Sequence, residues 1–102
     1  MSETTERNVE IATEISKQIG GGAFYMLGAK NKVAVENGLS FRIRGSRKVN
    51  YIKIVLNALD LYDVEYGKIH GMNYKVVATD KGLYFDMLHK SIETNTELYT
   101  SL

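Results

Sequence analysis

The sequence predicts an α+β fold, a two-layer sandwich in which helices cover one face of an antiparallel meander sheet of five or six strands. Two observations predict it. The central stretch, residues 39–79, alternates apolar and polar residues between short polar turns, as half-buried strands do. The segments on either side, residues 3–19 and 80–95, carry apolar residues at helical spacing. Packing both terminal helices on one face of the sheet buries all of these apolar residues.

The registers of the central strands agree on one apolar face. Placing Phe41 opposite Ile52, and Ile54 opposite Val64, leaves no charged residue on that face, and a one-residue slip would turn the strands inside out. A third turn that pairs Ile69 with Asn73 extends the same face. The predicted core face comprises Leu39, Phe41, Ile43, Ile52, Ile54, Leu56, Tyr62, Val64, Tyr66, Tyr74, Val76 and Ala78.

The opposite face of the predicted sheet is mixed in character. It comprises Ser40, Arg42, Arg44, Tyr51, Lys53, Val55, Asn57, Asp63, Glu65, Lys75 and Val77. These registers place Lys53 across from Glu65 and Arg42 across from Tyr51, pairs that stabilise a sheet by roughly 0.2–1 kcal/mol each. Because an antiparallel sheet can leave one face to solvent, this is the face on which we expect function.

The whole chain, residues 1–102, is expected to form one domain. In order, the predicted elements are a helix over residues 3–19, strands over about residues 23–28, 33–36, 39–44, 49–57, 61–69 and 73–79, and a helix over residues 80–95. Gly20 is the expected terminator of the first helix. The apolar run that follows it favours a buried strand, and a helical continuation is the alternative.

Two further positions make the predicted boundaries specific. Asn37-Gly38 between alternating segments predicts a two-residue hairpin turn, with Glu36 opposite Leu39, because both turn positions need positive φ. Asp80 is the expected N-cap of the last helix, whose apolar stripe includes Tyr84 and Leu88.

Composition narrows the possible classes of protein. The 102 residues contain no cysteine, which excludes disulfides and thiolate chemistry and agrees with a reducing cytoplasm. The formal net charge is +1, so no global field directs the chain to nucleic acid or membrane. No apolar run is long enough for a transmembrane helix, and the acidic start is unlike a signal peptide. We therefore expect a cytoplasmic protein with no membrane partner.

The candidate binding residues form a basic cluster with an aromatic neighbour. They are Arg42, Arg44, Arg47, Lys48, Tyr51 and Lys53. Aromatic and basic side chains together are typical of surfaces that hold single-stranded nucleic acid. An edge strand protected from aggregation by arginines is the alternative, and Asp63 and Glu65 on the same face oppose phosphate binding. The apolar Val55 and Val77 favour instead a protein partner or a homodimer.

Three other patterns are weak. Gly20-Gly21-Gly22 followed by Gly28 lacks the spacing and the preceding strand of a phosphate-binding loop. His89 has Asp86 and Glu93 on its helical face, but a metal site normally needs another histidine or cysteine nearby. Asp60, Asp63 and Glu65 are explained by neighbouring lysines. The sequence therefore predicts no catalytic set, no metal ion and no cofactor.

Four segments resemble a family of small proteins encoded by bacteriophages and prophages. They are residues 27–31, 39–45, 50–54 and 61–67, and the resemblance extends over about residues 20–102. That family has no assigned activity, so the resemblance implies a setting, the infected bacterial cytosol, and transfers no functional residue. The resulting hypothesis is a non-enzymatic accessory protein that binds a host or phage macromolecule, with nucleic-acid binding as the alternative.

Overall fold

The computed structural model describes residues 3–101 of the chain. Its elements are α1 (Glu3–Ile19), α2 (Gly21–Leu27), β1 (Lys30–Val35), β2 (Gly38–Arg42), β3 (Tyr51–Leu56), β4 (Tyr62–His70), β5 (Asn73–Leu83), a 3-10 helix (Phe85–Met87) and α3 (Leu88–Thr96). The five strands form one open sheet in chain order, and every neighbouring pair is antiparallel. The predicted α+β fold with a helix at each end is confirmed.

The terminal helices pack on the same face of the sheet, here called the core face. Ile15 and Ile19 of α1 and Leu88 and Ile92 of α3 are each at most 2% exposed, and they belong to one cluster with the buried strand residues. Phe24 of α2 joins this cluster. Removing this apolar surface from water is the main stabilising contribution, at about 25 cal/mol per Å².

The predicted registers of the three central strands are confirmed. Leu39 pairs with Ile54, and Ile54 pairs in turn with Val64. Lys53 pairs with Glu65 as predicted. These registers are fixed because any slip would expose apolar side chains of the core face and bury charged ones.

The predicted register of the last hairpin is wrong by one residue at its turn. His70, rather than Ile69, pairs with Asn73, and Ile69 pairs with Tyr74. An irregularity near Val77 then restores the expected parity, so that Ala78 packs at the core. An extra residue in one strand of a pair shifts side chains between faces without moving the rest of the sheet.

This shift reassigns three side chains. Tyr74 and Val76, predicted in the core, lie on the opposite face and are 44% and 46% exposed. Lys75, predicted on that opposite face, pairs with Lys68 and shares its side of the sheet. The face opposite the core face therefore gains one aromatic residue, Tyr74, and one aliphatic residue, Val76.

The run after Gly20 is helical, so the predicted strand over residues 23–28 is wrong. Gly20 ends α1 with φ 84°, as predicted, and α2 begins at the next residue. The chain leaves α2 through Gly28 in the left-handed conformation. The rings of Phe24 and Phe41 meet edge to face at a centroid distance of 5.2 Å, and Ala23 and Leu27 are also buried. A short apolar helix therefore fills the place in the core that the prediction gave to a strand.

The hairpin at Asn37 is also displaced by one residue. Val35 pairs with Gly38, so the turn residues are Glu36 and Asn37, and only Asn37 has positive φ, at 57°. Gly38 is needed for another reason: a Cβ there would lie 2.0 Å from the carbonyl oxygen of Ile54. The Asn-Gly signal is real, but its glycine allows two strands to approach closely rather than bending the chain.

The predicted helix over residues 80–95 begins too early. β5 continues to Leu83, a 3-10 helix follows, and α3 begins only at Leu88. Tyr84, predicted on the buried stripe, is 62% exposed, because it precedes the helix. Asp80 is a strand residue and caps no helix.

Asp80 instead joins a polar network between the sheet and α3. The hydroxyl of Ser91 donates to Asp80 Oδ2 at 2.5 Å, and the amide of Asn95 donates to the same oxygen at 3.0 Å. The buried hydroxyl of Tyr66 lies 2.6 Å from Ser91 Oγ and, with that serine's proton already donated, is the donor. Burial raises the pKa of Tyr66 well above its usual value. The network holds α3 against the sheet.

Candidate functional site

The sheet face opposite the helices, here called the outer face, is the candidate site. The described helices all pack on the core side, so no element covers it. Its side chains include Val33, Ser40, Arg42, Tyr51, Lys53, Val55, Asp63, Glu65, Tyr74 and Val76. Most of them are half-buried or exposed, and they mix apolar, basic and acidic groups.

Two tyrosines form the centre of the outer face. The rings of Tyr51 on β3 and Tyr74 on β5 meet edge to face, with centroids 5.4 Å apart and an interplanar angle of 82°. Between them on β4 lies Gly67, where an added Cβ would come within 2.2 Å of the Tyr74 ring. The ring of Tyr74 therefore lies across the glycine, in a position that any larger residue would block.

Glu65 fixes the other end of the Tyr74 ring. The Tyr74 hydroxyl donates to Glu65 Oε2 at 2.6 Å. Partial burial and this carboxylate raise the pKa of Tyr74 well above its usual value, so the hydroxyl remains a donor at neutral pH. Among residues 3–101, no ion pair joins Lys53 to Glu65, although the two residues are paired across the strands. The ammonium of Lys53 remains available to a ligand.

Two adjoining concavities mark the outer face. The larger one, of about 350 Å³, is lined by Tyr51, Lys53, Glu65, Ile69, Met72 and Tyr74. The smaller one, of about 190 Å³, lies beside Val55, Asp63 and Lys81 and shares Lys53 and Glu65 with the first. The shared residues make the two concavities one trough across β3, β4 and β5.

Three of the predicted binding residues come together here. Arg42 pairs with Tyr51 across β2 and β3, and Lys53 lies two residues further along β3 on the same face. All three side chains are half-buried. Within the described chain, no carboxylate forms an ion pair with Arg42 or Lys53. The outer face therefore combines two uncompensated cations with an aromatic ring.

The other three predicted residues lie away from this group. Arg44 follows β2, and its exposed side chain starts beside Gly28. Arg47 and Lys48 lie in the connection between β2 and β3, where Lys48 forms an exposed ion pair with Glu97 at 3.4 Å. The prediction placed Arg44 on this face as the last residue of a strand over residues 39–44, and grouped Arg47 and Lys48 with it. β2 ends at Arg42, however, and the backbone N–H of Arg44 donates to the carbonyl oxygen of Leu27 at the end of α2.

The acidic and histidine patterns have structural partners. Asp63 accepts hydrogen bonds from the Asn57 amide at 3.0 Å and from the backbone N–H of Gly82 at 2.9 Å. His89 Nε2 lies 2.7 Å from the carbonyl oxygen of Ile19 and links α3 to α1. In the part of the chain that the structure describes, no three His, Cys, Asp or Glu side chains are grouped to hold a metal ion.

Glu93 shows the same structural use of a carboxylate. The backbone N–H and the hydroxyl of Thr100 both donate to its Oε2 at 2.9 Å. These bonds lower the pKa of Glu93 below its usual value, and the charge of His89 adds to the effect. The carboxylate holds the C-terminal segment against α3, and that contact leaves His89 and Glu93 with structural roles.

Sequence reasoning missed Tyr74 and the role of Gly67. Tyr74 was assigned to the core because the turn before β5 was predicted one residue too long, with Ile69 rather than His70 opposite Asn73. Gly67, however, is an isolated glycine inside an alternating strand, a pattern that indicates a bulge or a close approach.

Comparison with known proteins adds no relative. No protein-family model matches the chain, and neither a curated protein nor a solved structure matches it. Within residues 3–101, no helix is both long enough and apolar enough to cross a bilayer. The case for function therefore rests on the outer face itself.

Proposed function

We propose that this chain is a non-enzymatic, phage-encoded accessory protein that binds a host or phage protein through the outer face of its sheet. The resemblance of residues 27–31, 39–45, 50–54 and 61–67 to small phage proteins supports the phage setting and the infected bacterial cytosol. The outer face supports the binding role.

The observation that carries the proposal is the exposed apolar surface at the β4–β5 end of the outer face. Met72 in the hairpin turn is fully exposed, and Tyr74 and Val76 are almost half exposed. Val33 at the other side of the sheet is 53% exposed. Apolar side chains bordered by charged groups, on a face that no element covers, are typical of protein-binding surfaces.

The charges around this apolar surface define the partner's chemistry. Arg42 and Lys53 lie toward β2 and β3, whereas Asp63 and Glu65 lie on β4. A partner that offers apolar side chains to Tyr74 and Val76, and a carboxylate to the side of Arg42, matches this arrangement. Charge placement of this kind gives orientation and association rate more than affinity.

The test is capture of a partner from bacterial lysate with tagged protein, in nuclease-treated and untreated halves. Val76→Lys places a charge in the apolar surface and is expected to reduce capture of the partner at least tenfold in both halves. Arg42→Glu is expected to reduce it less. Tyr99→Lys, at an exposed residue of the C-terminal segment, is the matched control and should capture as the wild type does. Equal capture by Val76→Lys would rule out this surface.

Nucleic acid is the second candidate partner, favoured by one observation. Tyr51 and Tyr74 lie beside Arg42 and Lys53, and neither cation has an ion-pair partner in the described chain. Phosphate contacts release counterions, so the affinity for a single strand should fall steeply with salt. Affinity that does not change between 50 and 200 mM salt, about the range over which such contacts respond, would contradict this candidate.

A further inference from the structure

We propose that the larger concavity of the outer face is a nucleotide-binding site, with the base stacked on the ring of Tyr74 beside Tyr51 and the phosphate beside Lys53 and Arg42. This does not depend on the protein-binding function; it deepens the nucleic-acid candidate by naming which residues would hold the base and which the phosphate. The ligand chemistry is shared by free nucleotides and by single-stranded nucleic acid, and the experiment below separates these sources.

The size and lining of the concavity suit a small aromatic ligand. Its volume is about 350 Å³, within the usual range of roughly 300–1,000 Å³ for small-molecule sites. Tyr51, Tyr74 and Ile69 supply apolar surface, and Lys53 and Glu65 supply polar groups at its edge. Such sites typically combine apolar walls with a few polar groups that orient the ligand.

The aromatic pair is already positioned for stacking. Tyr74 is held at three points, because its ring lies across Gly67, packs at right angles to the ring of Tyr51, and carries a hydroxyl bonded to Glu65. A ring that is fixed before binding loses little conformational freedom when a base stacks on it. Aromatic rings on an open sheet are platforms for bases, since every base has a π-face.

The polar groups give the bound nucleotide an orientation. Lys53 lines the concavity, and Arg42 is the cross-strand neighbour of Tyr51, so the phosphate belongs on the β2–β3 side. Glu65 Oε2 is bonded to Tyr74, and its Oε1 has no donor within the described chain. That oxygen can accept from a base amino group, as carboxylates do from cytosine. We therefore expect cytidine nucleotides to bind more tightly than uridine nucleotides.

The acidic groups nearby set a limit on the phosphate position. Glu65 lies at one side of the concavity and Asp63 two residues away on β4, where it is bonded to Asn57 and Gly82. A phosphate on that side would meet two carboxylates. The orientation with the phosphate toward Arg42 and the base toward Glu65 is the one that avoids this repulsion.

The experiment is an NMR titration of the full chain at about 50 mM salt, where phosphate contacts are strong. The probes are cytidine and uridine 5′-monophosphates in one arm and a single-stranded oligocytidine in the other. Shifts at Tyr51, Gly67 and Tyr74 with the monophosphate indicate a free-nucleotide site. Such shifts with the oligonucleotide alone indicate a single-strand site, and both outcomes support the proposal. No shift at these residues in either arm would overturn it.

Variants locate the ligand. Tyr74→Ala should weaken binding about tenfold, the size expected for loss of one stacking contact. Tyr74→Phe keeps the ring and should stay within about threefold of the wild type, which separates stacking from the hydroxyl. Tyr25→Ala, at an exposed tyrosine of α2, is the matched control. Unchanged affinity in a folded Tyr74→Ala variant would remove the site from this surface.

The phosphate side has its own pair of variants. Lys53→Ala should weaken the monophosphate several-fold, and the loss should shrink as salt is raised. Lys75→Ala removes a lysine on β5 that faces away from the concavity and should leave binding unchanged. Equal effects of the two variants would show a general charge effect and contradict the proposed phosphate position. Capture of a protein partner by the exposed apolar surface around Val76 is measured in a separate experiment. The protein-binding proposal and the nucleotide-binding proposal can therefore each fail without the other.

Discussion

A tyrosine on each face of the β4–β5 hairpin has its hydroxyl fixed by a polar partner, but the two tyrosines have different roles. Tyr66 on the core face is fully buried, and its hydroxyl enters the network of Ser91 and Asp80. Tyr74 on the outer face is 44% exposed, and its hydroxyl is bonded to Glu65. In both cases a polar partner fixes the ring, but only one ring remains open to a ligand.

The difference shows what burial does for a tyrosine. Inside the core, an unpaired hydroxyl would be costly, so the network around Tyr66 mainly avoids a penalty. On the outer face, water could satisfy the hydroxyl of Tyr74, so its bond to Glu65 mainly sets the direction of the ring. The hydrogen bonds of the core face therefore stabilise the fold, whereas the hydrogen bond of Tyr74 shapes the exposed surface.

The largest expected effect comes from truncating one residue on each face. Phe41→Ala removes a fully buried ring and should lower the free energy of unfolding by about 3–5 kcal/mol. Val76→Ala removes two methyl groups that are almost half exposed and should change it by less than about 0.5 kcal/mol. Urea denaturation of both variants measures the two values. Similar decreases in the free energy of unfolding for the two variants would show that packing on the outer face also stabilises the fold.

A smaller effect is expected from the buried network. Ser91→Ala leaves the Tyr66 hydroxyl without its acceptor and should cost about 1–3 kcal/mol. Adding Tyr66→Phe removes the stranded hydroxyl, so the double variant should lose less than the sum of the single variants. Tyr74→Phe is the outer-face control and should cost little. Strict additivity in the double-mutant cycle would contradict coupling between Ser91 and Tyr66.

The smallest effect concerns alkaline pH. The folded pKa of Tyr66 is raised above its usual 10.0, so the folded state keeps a proton that the unfolded state releases. The contribution of Tyr66 to the free energy of unfolding is therefore fully present below pH 10 and is lost above it. We expect the loss between pH 10 and 11 to be about 1 kcal/mol. Tyr74 has the same sign, but solvent screening at its exposed ring reduces the effect.

Denaturation at several alkaline pH values separates the two tyrosines. Tyr66→Phe should flatten the decline more than Tyr74→Phe, because Tyr66 is fully buried, whereas solvent screening weakens the contribution of the exposed Tyr74 ring. Glu65→Gln should remove part of the Tyr74 contribution and leave that of Tyr66 intact. An equal decline in the wild type and Tyr66→Phe would show that this tyrosine does not govern the alkaline response.

The candidate site was predictable only in part. Arg42, Tyr51 and Lys53 followed from strict alternation on strands whose register the core enforces. Arg44, Arg47 and Lys48 lie elsewhere, because β2 ends at Arg42 and the chain then leaves the sheet. Positions within the central strands were predictable, whereas positions after β2 and at the start of β5 were not.

By itself, the sequence determined the two terminal helices and the order and core face of the central strands, since period-two and helical spacing leave one way to bury the apolar residues. Tertiary structure alone decided that residues 21–27 are helical, because a short apolar run suits either a buried helix or a buried strand. It also decided the face of Tyr74, because the turn pairs His70 rather than Ile69 with Asn73, and the irregularity near Val77 then returns Ala78 to the core. Local patterns specify periodicity, but only packing against neighbouring strands decides where a strand gains a residue.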